Sequence, residues 1–326
     1  MTRVLVTGGK GFLGRHLVAK LNSQGKQVRV LARGAGNGPR DCDADSVVWA
    51  DIRDRDAVDR AVEGMDVVVH LVSNFRRGGS DRKEAYGINV DGTMNVMRAA
   101  ARHGVQRVVH CSTIGVHGNV LEIPANEETP YNPGDLYQET KLQAEQKVWA
   151  FHEQTGLPVS VVRPISLMGP GDVRMLKLFR MIQHRRFVMV GGGDVYFQPA
   201  YIDDVVHGFC LCMEHPGAVG QAFIIGGQEY VLLRDLVHMI ADELGVPAPK
   251  YRIPLRPVVM LAGLCEAMCV PLGIEPPIHR RRVSFFQNNR AFSIHKAQKI
   301  LGFEPEFSLQ DAIRLTSQWY RNEGLL

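Results

Sequence analysis

A chain of 326 residues, 45% of them hydrophobic and 22% charged, has room for one large α/β domain plus a smaller one and the composition of an ordinary globular protein. A formal net charge of +4 and twelve scattered histidines give no reason to expect a nucleic-acid partner. The six cysteines, at 42, 111, 210, 212, 265 and 269, contain no C-x-x-C pair, so zinc is not expected, and no other metal is implied.

The first predicted strand, Val4-Leu5-Val6, runs into Thr7-Gly8-Gly9-Lys10-Gly11-Phe12-Leu13-Gly14, and Arg15 to Leu21 reads as a helix. Glycines 9, 11 and 14 fit G-x-G-x-x-G, and glycines 8, 11 and 14 fit G-x-x-G-x-x-G. A phosphate needs bare backbone N–H groups with no Cβ in the way, and a helix N-terminus adds a favourable dipole. The strand–glycines–helix context turns a weak motif into a dinucleotide-binding signature.

Gln27 to Leu31 reads as the second strand. Its end, Leu31-Ala32-Arg33-Gly34, carries no acid of the kind that binds the ribose hydroxyls of NAD. Arg33 stands where a guanidinium can pair with a 2′-phosphate, which favours NADP over NAD, and Arg40 is a weaker second candidate. After the third strand, Ser46 to Ala50, Asp51 and Ile52 offer the adenine an acceptor beside an apolar wall. Val67 to Leu71, Val108 to Cys111 and Val159 to Val162 continue the strands, with helices over Arg55 to Glu63 and Asn89 to His103 between them. This alternation implies a parallel sheet covered on both faces, with the ligand at the strands' carboxyl ends.

Beyond Pro164 the pattern loosens into a loop at Met168 to Asp172, a helix from Met175 to His184 and a second loop at Gly191 to Asp194. Gln221 to Ile225 reads as a strand returning to the sheet. The expected class is therefore α/β: a Rossmann-type doubly wound parallel sheet with a smaller, discontinuous C-terminal substrate domain. Residues 1–165, with a returning segment near 198–227, form the dinucleotide-binding part; 166–197 and 228–326 form the substrate-binding part. The apolar run from Val258 to Val270 contains Glu266 and falls short of the roughly 20 residues a membrane span needs. It reads as a buried or surface-docking helix, and Arg280-Arg281-Arg282 beyond it as a solvated charge run rather than a membrane contact. Free thiols and no export signal suggest the cytoplasm.

Tyr137 and Lys141 are spaced i, i+4 within good helix-forming sequence, which puts both on one face. A tyrosine with a reference pKa of about 10 is a poor base at neutral pH, but a nearby ammonium favours its phenolate. That suits a proton donor or acceptor for a hydroxyl–carbonyl interconversion. Upstream, a strand ends in Cys111-Ser112-Thr113, where a hydroxyl can hold the substrate oxygen beside the tyrosine.

Together these features resemble the extended short-chain dehydrogenase/reductase family over nearly the whole chain. Thr7 to Gly14 is similar to its T-G-x-x-G-[FI]-[IL]-G motif, His110 to Gly118 to its strand-five pattern, and Tyr137 and Lys141 to its active-site pair. Arg163-Pro164 with Gly169 to Asp172, Tyr201 to Val205 and Leu301 to Pro305 resemble its later motifs. The resemblance implies that Tyr137 is the acid/base, that Lys141 also holds the nicotinamide ribose, and that Thr113 is the catalytic hydroxyl in preference to Ser112. It implies that Asn89 supports the site, where a plain helix cap is the alternative. Gly8, Gly11, Phe12, Leu13, Gly14, Leu71, Val72, Ser73 and Pro164 would line the cofactor.

Within the family, dehydratases carry Thr-Asp-Glu after the fifth strand, whereas Ile114-Gly115 follows Thr113 here, which disfavours dehydration. Nucleotide-sugar epimerases place an arginine before the late V-D-D motif; Phe197-Gln198-Pro199-Ala200 stands there instead, with Arg174, Arg280, Arg282 or Arg290 as substitutes. The apolar content of 253–278 suggests a less polar substrate pocket, closer to 3β-hydroxysteroid dehydrogenases and dihydroflavonol reductases. The expectation is an oxidoreductase interconverting a secondary alcohol and a ketone on a small molecule, with NADP, or NAD, as cofactor. The alternatives are a 4-epimerase with tightly bound NAD and a non-catalytic NADP-binding sensor. A homodimer is implied by the resemblance alone.

Overall fold

The computed structural model describes residues 1–34, 44–75, 82–269 and 283–326. Seven parallel strands form its central sheet: β1 (Arg3–Thr7), β2 (Gln27–Ala32), β3 (Ser46–Trp49), β4 (Val67–His70), β5 (Arg107–Cys111), β6 (Val159–Pro164) and, after four short strands, β11 (Ala222–Ile225). Their spatial order is β3-β2-β1-β4-β5-β6-β11, so the order reverses between β1 and β4. The predicted return of the chain at Ala222 to Ile225 is present, with Ala222 opposite Val161.

The strands read as apolar runs because both faces are buried. Val4 and Val6 pack on one face with Leu17, Val18 and Leu21 of α1 (Phe12–Ser23) and Phe209 of α7 (Ile202–Glu214). Leu5, one position out of phase, packs on the other with α2 (Arg55–Val62), α4 (Gly92–Arg102) and Val148 of α5 (Leu136–Thr155). Asp54 caps α2, accepting from the amides of Asp56 and Ala57. Asp135 caps α5, accepting from Gln138 N, and Gly156 ends that helix in the left-handed conformation.

The helix expected from Asn89 begins earlier and is not α-helical throughout. A short α3 (Arg82–Tyr86) passes into a π-helical turn, Gly87–Asp91, before α4 begins. Such a widened turn re-aims side chains and is frequent at functional sites.

The small strands pair among themselves: β7 (Ser166–Met168) with β10 (Pro199–Tyr201), β8 (Met189–Val190) with β13 (Arg252–Ile253), and β9 (Tyr196–Phe197) with β12 (Val231–Leu232). A third apolar cluster joins Phe179 and Ile182 of α6 (Leu176–Gln183), Leu236 and Ile240 of α8 (Leu233–Leu244), and Ile313 and Tyr320 near the C-terminus. Next come α9 (Leu255–Cys269), α10 (His295–Leu301) and α11 (Leu309–Asn322). No helix among the described residues is long and apolar enough to cross a membrane.

Candidate active site

The carboxyl ends of β1, β4, β5 and β6 lie side by side, and each delivers a predicted site segment. The glycine turn follows β1. Gly8 adopts φ +77°, which favours glycine, and a Cβ at Gly14 would overlap the Gly8 carbonyl. Gly11 N donates to Gly8 O at 2.9 Å and is itself the N-cap of α1, with no side-chain cap and no acid in the first turn. The bare amides of that turn are thus left for an anion, as a dinucleotide pyrophosphate requires. A Cβ on Gly8 would lie 3.2 Å from Val72 N, so Leu71-Val72-Ser73 after β4 lies directly against the turn. Phe12 and Leu13 are partly buried at the helix start, and Pro164 ends β6.

At the ends of β2 and β3, Arg33 is exposed, with one guanidinium nitrogen 4.0 Å from the Glu84 carboxylate. Asp51 accepts from Arg53 Nε at 2.8 Å and Nη2 at 2.7 Å, and hydrogen bonding to Arg53 holds its carboxyl below the ordinary range. Ile52 is buried against Gly92, and its carbonyl accepts from Asn95 Nδ2 at 3.1 Å. Sequence reasoning missed two cations here. Arg53 follows Asp51 by two residues, and the Lys10 ammonium sits 4.4 Å above the exposed Trp49 ring. Only the position of Lys10 inside the glycine motif signalled it. Arg40 lies outside the described residues.

On the catalytic side, Lys141 is only 1% exposed, and its Nζ donates to the Cys111 carbonyl at 2.6 Å. That bond ties the helix of Tyr137 to the strand end that carries Ser112 and Thr113. Burial lowers the Lys141 pKa, and the neighbouring Cys111 and Glu145 oppose the shift. Burial pushes the Cys111 thiol up to about 11, which keeps it neutral. Tyr137 is partly exposed, and Phe75 packs edge-on against its ring at 4.9 Å.

The two candidate hydroxyls face different ways. Ser112 is 2% exposed and donates to Glu145 Oε2 at 2.5 Å. Thr113 is partly exposed, and its Oγ1 accepts from Gly115 N at 3.0 Å, leaving its proton for another acceptor. Glu145 is in turn held by Arg163, whose Nη2 lies 2.5 Å from Oε1. Arg163 also donates to Tyr131 Oη at 2.7 Å, Glu127 O at 2.9 Å and His117 Nε2 at 3.1 Å. Sequence reasoning assigned no role to Glu145 or Arg163. The signals were present: Glu145 lies one turn beyond Lys141, and Arg163 opens the Arg-Pro pair.

Asn89 sits in the π-helical turn, fully buried. Its Oδ1 accepts from Asn74 N at 2.6 Å, and its Nδ2 donates to Thr140 Oγ1 at 2.8 Å. Thr140 Oγ1 donates to the Tyr137 carbonyl at 2.9 Å. Asn89 therefore clamps the loop after β4 to the first turn of α5 and does not cap its own helix. Thr93 Oγ1 donates to Asn89 O at 2.7 Å, so its one proton is spent there. His70 Nε2, 2.9 Å away, must donate to Thr93, and Nδ1 must accept from Thr7 Oγ1 at 2.7 Å. Burial, with the Lys141 charge, lowers the His70 pKa to about 3, which keeps the ring neutral. An unbroken hydrogen-bond chain thus runs from the glycine turn to Tyr137.

Before the late motif, buried Gln198 is satisfied by Gly227 O at 2.7 Å, Phe292 O at 3.0 Å and Phe292 N at 2.7 Å. Arg174 is engaged by Asp172 at 2.7 Å and Leu167 O at 2.9 Å. Arg290 stacks over Phe197 and donates to Ser284 O at 3.3 Å. Arg280 and Arg282 lie outside the described residues.

A family model described as the NAD dependent epimerase/dehydratase family matches residues 4–226. The chain is 32% identical over 334 residues to a 3 beta-hydroxysteroid dehydrogenase/Delta 5-->4-isomerase of Mycobacterium tuberculosis (strain ATCC 25618 / H37Rv), covering 98% of this chain and 90% of that one. It is 30% identical over 334 residues to a 2-alkyl-3-oxoalkanoate reductase of Stenotrophomonas maltophilia (strain K279a), covering 96% and 97%. The crystal structure of gox2253 superposes with a TM-score of 0.85 at 27% identity over 100% of both chains.

Proposed function

This chain belongs to the NAD dependent epimerase/dehydratase family, as an NAD(P)-dependent oxidoreductase of the extended short-chain type acting on a small substrate, and we propose that it interconverts a secondary alcohol and a ketone at the site just described. The observation that carries this reading is the 2.6 Å bond from Lys141 Nζ to Cys111 O, which joins the helix of Tyr137 to the segment of Thr113.

The bound nicotinamide would supply the hydride acceptor or donor. The amides of the glycine turn and the N-terminus of α1 would hold its pyrophosphate, with Leu71, Val72, Ser73 and Pro164 along its course. In the oxidative direction, Tyr137 as phenolate takes the substrate hydroxyl proton while the carbinol hydrogen leaves as hydride. Thr113 Oγ1 orients the substrate oxygen by donating its free proton. The Lys141 ammonium would stabilise the phenolate and hold the nicotinamide ribose. Ser112 does not touch substrate in this assignment. Asn89 positions Tyr137 through Thr140.

Arg33 favours NADP: it lies exposed beyond the second strand, with a loose 4.0 Å ion pair to Glu84. Residues 166–197 and 228–326 would build the substrate side. Relatives named for steroid and alkyl-keto acid chemistry point to a weakly polar substrate. The segment where an epimerase arginine would stand is closed by Gln198, which argues against a nucleotide-sugar substrate. Five described cysteines are free, in keeping with the cytoplasm, and a homodimer is the assembly we adopt from the family resemblance.

Replacing Tyr137 with Phe tests the reading against a panel of secondary alcohols with NADP and NAD. Turnover should fall by about two to four orders of magnitude with the fold intact. Undiminished turnover would refute it. Stoichiometric NAD on the purified protein, with sugar-nucleotide epimerisation needing no added cofactor, would favour the epimerase instead.

A further inference from the structure

Helix α9 is inside out. Of its fifteen residues only Ala262 is buried, although the helix is mostly apolar. Met260 is 71% exposed, Leu264 61%, Met268 69% and Leu261 49%. At 100° per residue, Arg256, Pro257, Met260, Leu261, Leu264, Ala267 and Met268, all exposed, fall within one arc of about 140°. Ala262 lies on the opposite side, and so does Glu266, the only carboxylate of the helix. The segment before it adds exposed Tyr251 and Ile253. Half of the large apolar side chains exposed among the described residues therefore fall between 251 and 268.

An isolated helix of this length is marginal in water, and a contiguous exposed apolar patch marks a surface made for contact. The exposed charges of its own segment are of one sign. Between Gly245 and Cys269, the exposed charged residues are Lys250, Arg252 and Arg256. The pairing of β8 with β13, Met189 opposite Arg252, brings exposed Arg185 and Arg186 to the same edge. The nearby acid Asp194 is paired with Arg234. An apolar stripe too short to span a bilayer, with three exposed cations and no exposed carboxylate on its own described segment from Gly245 to Cys269, has the chemistry of an interfacial helix.

We infer that α9 docks the protein on an anionic lipid surface, with Met260, Leu261, Leu264 and Met268 entering the acyl boundary and Lys250, Arg252 and Arg256 at the headgroups. This inference rests on the exposed arc and its charges and does not depend on the reaction.

The test is co-sedimentation of the full chain with phosphatidylcholine vesicles, alone or mixed with phosphatidylglycerol. The protein should pellet with the mixed vesicles, far less with neutral ones, and less again at high salt. Met260→Ser/Leu264→Ser should weaken binding at least about tenfold, since each methylene withdrawn from lipid counts. Arg252→Gln/Arg256→Gln should remove the preference for anionic vesicles. All four side chains are exposed, so melting temperature should hold and exclude misfolding as the cause. A wild-type protein that stays in the supernatant with both vesicles overturns the proposal. So does a self-associated protein, blind to lipid, that Met260→Ser/Leu264→Ser turns into monomers, because the stripe would then be covered by a second copy.

Discussion

Ser112 Oγ lies 2.5 Å from Glu145 Oε2, so the hydroxyl that precedes Thr113 is spent on a buried carboxylate rather than on the site. This separates two adjacent hydroxyls by task. Thr113→Ala should lower kcat by about two orders of magnitude with little change in melting temperature. Ser112→Ala should do the reverse, costing about 1–2 kcal/mol of stability while sparing most turnover. Thermal melts beside steady-state kinetics decide, and an equal kinetic loss in both variants would contradict the division.

The Glu145–Arg163 pair gives a second prediction, in signs. In the oxidative direction Tyr137 must be deprotonated, so its pKa sets the acid limb of the pH–rate profile. Glu145 lies eight residues along α5 from Tyr137, about 12 Å. Glu145→Gln leaves more net positive charge near the phenolate and should move the limb to lower pH. Arg163→Met should move it upward. Each shift should reach a few tenths to about one pH unit. The double variant, which removes both charges, should return the limb towards wild type. Two single variants shifting the same way would show that packing, not charge, is at work.

Arg33 makes a third. Among the described residues its guanidinium lies 4.0 Å from the Glu84 carboxylate and also acts at longer range on Asp51. Arg33→Ser should raise the KM for NADP about tenfold or more and leave that for NAD nearly unchanged. Parallel titrations of the two cofactors measure this, and an unchanged ratio of the two constants would locate selectivity elsewhere.

Asp204 makes the fourth, through stability. Its carboxylate accepts from the amides of Glu306 at 2.7 Å and Phe307 at 3.4 Å, yet burial pushes its pKa from the ordinary 3.8 up to about 6. The folded state binds this proton more tightly than the unfolded one. The resulting stability is complete below the unfolded value and lost as pH rises through the folded one. Relative to Asp204→Asn, the wild type should therefore lose about 1–3 kcal/mol between the acid and neutral ends of that window. Urea melts of both proteins across the range would show a constant difference if the prediction is wrong.

The sheet and the glycine turn were legible because parallel strands buried on both faces leave apolar runs, and because Gly8 and Gly14 answer to backbone geometry alone. That Tyr137 and Lys141 share one helix was legible from their spacing. The partition between Ser112 and Thr113 was not, because both follow the end of β5 and only the distant Glu145 decides which one turns inward. Arg163 and Glu145 are 18 residues apart on different elements, and no local pattern pairs them. The orientation of α9 was hidden for another reason. Apolar composition reads the same whether a face is packed or bare, so the expectation of a buried or docking helix stayed open until the exposed arc was seen.

The chain of bonds from Thr7 through His70, Thr93, Asn89 and Thr140 to the Tyr137 carbonyl makes the glycine turn after β1 and the helix of Tyr137 parts of one frame. A displacement of the turn would reach the backbone of Tyr137 through these bonds. Cofactor seating and proton delivery would then be inherited together, leaving the outer helices as the ground on which substrate choice can drift.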